Sequence, residues 1–543
     1  MLQYSQSYTG SAFSLRRLYR SALQHWLDGI ERGWSIPLLL VAFVATWVVV
    51  LMLAYSNAGL HPDVLETWSL GRDFAWGSAK HPPLMGWIAR AWTALFPLTD
   101  WSFQLLAMTN AAVALWAVDL TTRRFVSGDK RVIVLLLLML LPAYQFHAQR
   151  FNANSVLLAT WPLAIYCFLR AYETRGIGWA ALSGATAGLA MLGKYYSIFL
   201  IASMVAAALL HPQRRQYLRS AAPWVTVLAG LAVIGPHLSW LVASDFPPFS
   251  YAMRTHGGLG LSGGASKAVM FSGGVLAWLV IPVAAWMLLT RSRIETALRD
   301  LSNADGGLLL LSLVLLGTLL MPALVAIVLG TSMPALWNLQ GLFLAVVVLV
   351  CTSRVTDVRE PAIKLTTAVC LFSLVMIVAA PLHAYVRNDH PFKEGRSFYK
   401  GATAELVRRW RNETRAPLLA ISGNDDLALA AAFYAEDHPY YNKMFNVGGL
   451  STSIPGWAYN DGWAAMCFAT DTFCVTWIEK MAAAVDRRSV SVAFDVPTEY
   501  LGQAGATARI QAIMVPPETK PQDEPDNDDD DDMVEYSSQR RPQ

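Results

Sequence analysis

Two carboxylates, Asp63 and Glu66, stand three residues apart in the stretch HPDVLETWSLGRDFAWGSAKHPPL, residues 61–84. On a helical turn that spacing puts both on one face, where the pair can act as a general base, as ligands for a divalent metal ion, or as both. The blander alternative is a helix start, because Pro62 with acids in the first turn favours initiation. Downstream, Lys80 and His81 precede a double proline that cannot continue an upstream helix but fits the first turn of a new one. A cation beside the open N–H groups of a helix start suits an anion, phosphate above all. The competing reading has Lys80 snorkelling to lipid headgroups and His81 capping the turn.

Further polar groups recur at the ends of apolar segments. FHAQRFNANS carries His147, Arg150, Asn152 and Asn154; GKYYS carries Lys194, Tyr195 and Tyr196; the segment 244–267 carries Asp245, Arg254 and His256. A lysine between two closely spaced spans is costly unless it reaches water or an anion. Lys80, His81, Lys194, Arg72 and Arg150 are therefore the candidate phosphate cations, and Asn152, Asn154, Tyr195, Tyr196, Arg254 and His256 the candidate polar contacts for the transferred group or its acceptor. The run GGLGLSGG lacks the strand before it and the Lys-Ser ending of a nucleotide loop, and reads as a flexible flap. Cations for a phosphate together with carboxylates for a proton suit transfer from a lipid phosphate to a hydroxyl.

The elements that must position these groups are membrane helices. Hydrophobic residues make up 55% of the 543 and charged residues only 15%, against roughly 25% charged in a soluble domain. Windows of about 20 residues give eleven spans, near 35–57, 103–122, 131–147, 156–173, 177–193, 195–211, 220–242, 268–290, 306–330, 332–352 and 362–385. The fold class is a polytopic α-helical membrane protein of about 11–13 transmembrane helices, with a small C-terminal α/β domain outside the cytoplasm. With the N-terminus inside, the inner segments hold 19 Lys and Arg against seven in the short outer loops, the usual positive-inside bias. No cleavable signal peptide is needed, since the first span follows a basic segment without a small-residue cleavage site.

Four regions follow: a cytoplasmic segment 1–34, a transmembrane domain 35–392 with its first outside loop at 58–102, an α/β domain 393–515, and an acidic tail 516–543. In the α/β domain TAELVRRWRNET reads as an amphipathic helix, and PLLAISG, FCVTWI and ARIQAIMV as short buried strands. Cys467 and Cys474 lie in it, where a disulfide can persist, with a packed pair of free thiols as the alternative. The tail has nine acidic residues between 523 and 535 and little to bury, which predicts disorder.

The order of these motifs, a carboxylate loop after the first span, then KHPPL, FNANSVLL and GLAMLGKYYSIFL, resembles the GT-C membrane glycosyltransferases. It is most similar to the bacterial branch of the protein mannosyltransferase-like family, which includes the lipid A aminoarabinose transferase and rhizobial galacturonic acid transferases. The resemblance covers 35–260 with ordered motifs and the later spans in general character. It implies an enzyme that passes a sugar from a polyprenyl-phosphate donor to an acceptor such as lipid A, core oligosaccharide or another envelope glycolipid. The expected place is the periplasmic side of a bacterial inner membrane, with membrane lipids as partners and no nucleic acid.

In that family the first outside loop carries a catalytic aspartate, which Asp63 matches. The glutamate usually next to it is here Val64, with Glu66 two residues on. A second family acid is replaced by Asn154, which cannot be a base at neutral pH, and the catalytic weight shifts to Asp63. Lys80 and Lys194 match positions associated with the donor phosphate. The implied reaction is a single inverting displacement, with no certain cofactor beyond a possible divalent metal ion at Asp63 and Glu66. Two other readings stand beside it: a transporter or flippase for a lipid-linked sugar, and a protein O-glycosyltransferase. No inverted repeat of the spans and no matched pair of broken helices supports the transporter.

Overall fold

The computed structural model describes residues 7–442, 462–484 and 488–517, with side chains in the first helix from residue 16 on. All but the first two positions of the acidic tail 516–543 lie outside the described residues. The chain divides into two compact units, residues 1–54 with 75–382, and residues 55–74 with 383–543. The first outside loop, expected as one piece, is thereby shared: Asp63 and Glu66 fold with the C-terminal unit, Lys80 and His81 with the membrane unit.

The membrane unit holds α1 (Ser7–Asp28) and α2 (Ser35–Ala54) and, after α3 (Pro62–Gly71) of the other unit, α4 (Leu84–Thr93), α5 (Asp100–Thr122), α6 (Asp129–Leu138), α7 (Ser155–Thr174), α8 (Ile177–Gly193) and α9 (Ile198–Leu210). It continues with α10 (Arg214–Leu218), α11 (Ala222–Ala243), α12 (Pro247–His256), α13 (Gly260–Thr290), α14 (Ile294–Ser302), α15 (Gly306–Leu329), α16 (Phe343–Thr352) and most of α17 (Arg359–Asp389).

Among the described residues seven of these, α2, α5, α7, α11, α13, α15 and α17, are long and apolar enough to cross a membrane. The chain is a multi-span membrane protein. The other four apolar windows are helical too, but shorter or bent. α8 and α9 are apolar helices of 17 and 13 residues. A 3₁₀ turn, Ala335–Gly341, meets α16 at a 44° bend. α6 stops after ten residues: Pro142 brings no N–H to continue the ladder, the Gln145 carboxamide donates to the Met139 carbonyl, and the chain leaves through a π turn, Ala143–His147.

Two devices fix helices in this unit. Arg131 of α6 makes a bidentate pair with Asp119 of α5, 3.0 and 2.8 Å, with Asp119 buried and Arg131 largely so; a pair of this kind is specific in geometry, and costly to break by removing one partner. Gly330 ends α15 at φ +57°, and a Cβ there would stand 2.8 Å from the Gly260 nitrogen. Only glycine takes that conformation and that approach at little cost. The Leu259 N–H then donates to the Gly330 carbonyl at 2.9 Å and the Ser332 N–H to the His256 carbonyl at 2.8 Å, which pins the end of α12.

The second unit is a five-stranded mixed sheet with helices. In chain order it has α18 (Tyr399–Glu413), β1 (Ala420–Gly423), α19 (Asp425–Tyr434), β2 (Tyr440–Tyr441), β3 (Trp463–Phe468), the helix Thr472–Ala484, β4 (Val490–Tyr500) and β5 (Gln503–Val515). The sheet order is β2-β1-β3-β5-β4, parallel at β2-β1-β3 and antiparallel at β3-β5-β4. Alternate β3 residues, Trp463, Ala465 and Cys467, pack with Ile513 and Val515 against the helix through Cys474, Trp477, Ile478 and Met481. FCVTWI, read as a strand, is thus the start of this helix. Its buried residues recur at helical spacing, and the Asp471 carboxylate accepts from the Cys474 N–H at 3.1 Å, as a helix cap does. Cys467 and Cys474 are disulfide-bonded, with Cα atoms 5.7 Å apart, tying β3 to that helix.

Candidate functional site

The candidate residues fall into two sets, one in each unit. In the C-terminal unit α3 starts as its sequence dictates: His61 is the N-cap, its Nδ1 accepting from the Asp63 N–H at 3.2 Å, and Pro62 takes the first turn. Asp63 and Glu66 follow one turn apart on this helix, the Asp63 side chain 41% exposed. The Thr67 hydroxyl donates to the Asp63 carbonyl at 2.8 Å. The helix-start reading and the paired-carboxylate reading therefore describe the same turn.

The sequence did not reveal that more acids converge there. α19 begins at Asn424, whose side chain accepts from the Leu427 N–H, so Asp425 and Asp426 occupy the first turn. Trp68 of α3 meets Phe433 of α19 edge-on at 5.3 Å, and the Leu60 N–H donates to the Tyr434 hydroxyl at 2.8 Å, holding the two helices together. Burial, then the charges of Asp425, Glu394, Asp63 and Glu66, push the Asp426 carboxyl up to about 6. The Tyr441 hydroxyl donates to Asp425 Oδ1 at 2.8 Å, and burial raises that phenol far above its usual range. A carboxyl raised toward neutral pH within the field of Asp63 is suited to proton exchange. Among the described residues no three His, Cys, Asp or Glu side chains form a group that could hold a metal ion, so Asp63 and Glu66 would need ligands from elsewhere to bind one.

Arg72, a candidate phosphate cation, is engaged within the same unit. Its guanidinium donates to the His438 and Pro439 carbonyls at 2.8 and 3.0 Å and lies over the Tyr440 ring, 3.9 Å from the centroid. Burial lowers its pKa from the ordinary guanidinium value, while Tyr440 and Asp73 oppose the shift. Its geometry is that of a clamp between α3 and β2.

In the membrane unit Lys194 sits at the C-terminal end of α8, in extended conformation. Its Nζ donates to Asn154 Oδ1 at 2.6 Å and lies 3.9 Å from the centroid of the Trp337 ring. Gly193 permits this placement: a Cβ there would come within 2.7 Å of Val156 Cγ1 and 2.9 Å of Leu157 Cδ2 on α7. His256 meets the other side of the setting, edge-on to Trp337 at 4.8 Å, and burial, with the Lys194 charge second, lowers its pKa. Lys194, Asn154, Trp337 and His256 thus form one cluster, and of these only Trp337 escaped the sequence reading. Nothing in PALWNLQG marks that tryptophan beyond its being aromatic.

The other candidates are placed around or away from this cluster. Asn152 orders the turn that leads into α7, its Oδ1 accepting from the Asn154 and Ser155 N–H groups at 2.8 and 3.0 Å. The Tyr195 hydroxyl hydrogen-bonds His237 Nε2 at 2.9 Å, and His237 Nδ1 bonds the Trp76 carbonyl at 2.6 Å. Tyr196 is buried, stacked on Trp161 and edge-on to Trp337. Lys80 and His81 lie in a turn before α4 in which the Ser78 hydroxyl accepts from both their N–H groups, at 3.3 and 3.0 Å. Arg150 and Arg254 are exposed, and among the described residues neither guanidinium forms an ion pair.

Residues 80–240 match the dolichyl-phosphate-mannose-protein mannosyltransferase family. That stretch holds Lys80, His81, Asn154 and Lys194, and leaves out Asp63 and Glu66. The lipid A galacturonosyltransferase RgtD of Rhizobium johnstonii is 28% identical over 210 residues, covering 38% of this chain and 44% of that relative. The match therefore spans less than half of the relative's length. In fold the chain is similar to ArnT from Cupriavidus metallidurans, solved bound to undecaprenyl phosphate and in the apo state. Both structures superpose with a TM-score of 0.59, at 12% and 11% identity, over 88% and 89% of this chain and 98% of ArnT. The chain thus resembles the GT-C membrane glycosyltransferases, in sequence over part of its membrane unit and in fold over most of its length.

Proposed function

We propose that this protein is a membrane glycosyltransferase that moves a sugar from a polyprenyl-phosphate donor to a hydroxyl of lipid A or a related envelope glycolipid, on the periplasmic side of a bacterial inner membrane. The observation that carries the reading is the Lys194 cluster: a cation at the end of an apolar helix, held by the Asn154 amide at 2.6 Å and by the Trp337 face, inside the stretch matching the mannosyltransferase family. A lysine kept at such a place is suited to a lipid-borne phosphate. The undecaprenyl phosphate bound to ArnT supports a donor of that class, and the lipid A relative supports the acceptor.

In the proposed reaction Asp63 takes the proton of the attacking hydroxyl as the hydroxyl oxygen bonds to the anomeric carbon. The bond from that carbon to the donor phosphate oxygen breaks, configuration inverts, and the phosphate leaves with its electron pair. Lys194 and Lys80 stabilise the leaving phosphate. Glu66 and Asp426 set the charge around Asp63, and a divalent ion, if bound at the carboxylates, would add Lewis-acid stabilisation.

The test is purified full-length protein in detergent, given a radiolabelled polyprenyl-phosphate sugar and lipid A. Labelled lipid A formed without a membrane gradient supports the enzyme; movement of donor across vesicles with no transfer supports the transporter instead. Mass spectrometry of envelope lipids from a strain lacking the protein then names the sugar by the mass that disappears.

A further inference from the structure

α8, α9 and α11 enclose a groove of about 440 Å³, within the size range of a small-ligand site. Its floor is set by glycines. A Cβ on Gly184 would stand 2.0 Å from the Thr226 carbonyl oxygen and one on Gly188 3.0 Å from Val233, so α8 and α11 cross at backbone contact. Its rim is open: Val205, Trp224 and Leu231 are all more than half exposed. Among the lining side chains only Thr226, Tyr217 and Trp224 carry an atom capable of strong hydrogen bonding, and Trp224 stands on the exposed rim. The Thr226 hydroxyl already donates to the Ala180 carbonyl at 3.0 Å, and the Tyr217 hydroxyl pairs with Thr226. The groove thus offers a hydrocarbon chain an almost wholly apolar wall, with the Trp224 indole at its exposed rim.

One end of the groove is strongly basic. Tyr217 and Leu218 of α10 line it, and the adjoining Arg214, Arg215 and Arg219 are exposed. Arg175, at the end of α7, reaches the same helix by donating to Gln216 Oε1 at 2.9 Å. Glu173, two residues before Arg175, is occupied by Arg124 and Arg170 at 3.2 and 3.0 Å. Among the described residues no acidic side chain pairs with Arg214, Arg215 or Arg219, nor does the Asp305 carboxylate at the start of α15, beside which His211 bonds the Gly306 carbonyl. Three arginines without acidic partners at the end of apolar helices lie where a bilayer places its headgroups.

We infer that this groove holds one acyl chain of an anionic phospholipid whose phosphate is met by Arg214, Arg215 and Arg219. The apolar wall takes the tail and the arginine cluster selects the charge, in the leaflet opposite to the Lys194 end of α8. The inference does not depend on the glycosyltransferase reading.

The test is native mass spectrometry of the purified full-length protein, exchanged into equal amounts of phosphatidylglycerol and phosphatidylethanolamine. Wild type is expected to retain phosphatidylglycerol at least tenfold over phosphatidylethanolamine. The Arg214→Gln, Arg215→Gln, Arg219→Gln triple variant is expected to lose that preference, and Val205→Trp, which fills the groove from its open rim, to lose the retained lipid while keeping its melting temperature. Equal retention of the two lipids by wild type, or an unchanged preference in the triple variant, overturns the inference. So does displacement of the lipid by undecaprenyl phosphate at equal concentration, which would make the groove a donor-tail site.

Discussion

Lys194 Nζ lies 2.6 Å from the Asn154 amide oxygen, a neutral partner where the related transferases are expected to carry an acid. A neutral acceptor orients the ammonium without itself opposing its charge. Asn154→Asp would supply a carboxylate at the same distance and set up a competing ion pair. The expected outcome is a rise of about tenfold in KM for the polyprenyl-phosphate donor, equivalent to ~1.4 kcal/mol, with a smaller change in kcat. Steady-state kinetics at varied donor concentration measures it, and an unchanged KM would remove Lys194 from the donor site.

Gly193→Val tests whether close helix contact positions that lysine. The added side chain starts 2.7 Å from Val156 Cγ1, and a branched residue on α7 has little freedom to move aside. Overpacking of this kind costs about 1–3 kcal/mol. A lower melting temperature together with reduced donor use is expected, and thermal unfolding in detergent with the same kinetic assay reads both.

Much of this was legible in the sequence, for physical reasons. Apolar runs announce spans, and Pro62 followed by Asp63 announces a helix start because proline fits the first turn and acids favour its open N–H groups. Lys194 stood out because a lysine between spans is expensive. The approach of Asp425 and Asp426 to Asp63 was not legible. The residues lie some 360 positions apart, and NDDL after a strand signals only a capped helix. FCVTWI misled because aromatic and β-branched residues suit a strand, while the deciding pattern of Cys474, Trp477, Ile478 and Met481 extends beyond that short run. Asn152 looked like a ligand contact, yet an asparagine side chain as readily accepts from backbone N–H groups two and three residues on, in the turn before a helix.

The Asp426 carboxyl, pushed up to about 6, gives a signed pH dependence. Its folded pKa exceeds the unfolded value, so the folded state binds the proton more tightly. The associated stability is fully present below about pH 4 and is lost as pH rises through 6. Asp426→Asn removes that loss, with an expected gain on the order of 1–2 kcal/mol at pH 8 and little gain at pH 4.5. Melting temperature against pH for the two proteins checks the slope; a variant destabilised at pH 8 would contradict it.

Removing the Cys467–Cys474 bond, which closes a loop of seven residues' separation, should cost about 2 kcal/mol by the chain-entropy account. The Cys467→Ser, Cys474→Ser double variant is expected to unfold at lower temperature than wild type, and wild type treated with reductant to move toward it. Coincident melting of all three would show that the bond contributes nothing.

The central claim is that Asp63 takes a proton during sugar transfer, and the most direct measurement is turnover of Asp63→Asn beside wild type. Purified full-length proteins with matched melting temperatures would be given the same polyprenyl-phosphate sugar and lipid A, and labelled product counted. Loss of a well-placed base costs about 10² to 10⁴ in rate, so product from the variant should fall at least a hundredfold. Turnover within threefold of wild type would contradict the account.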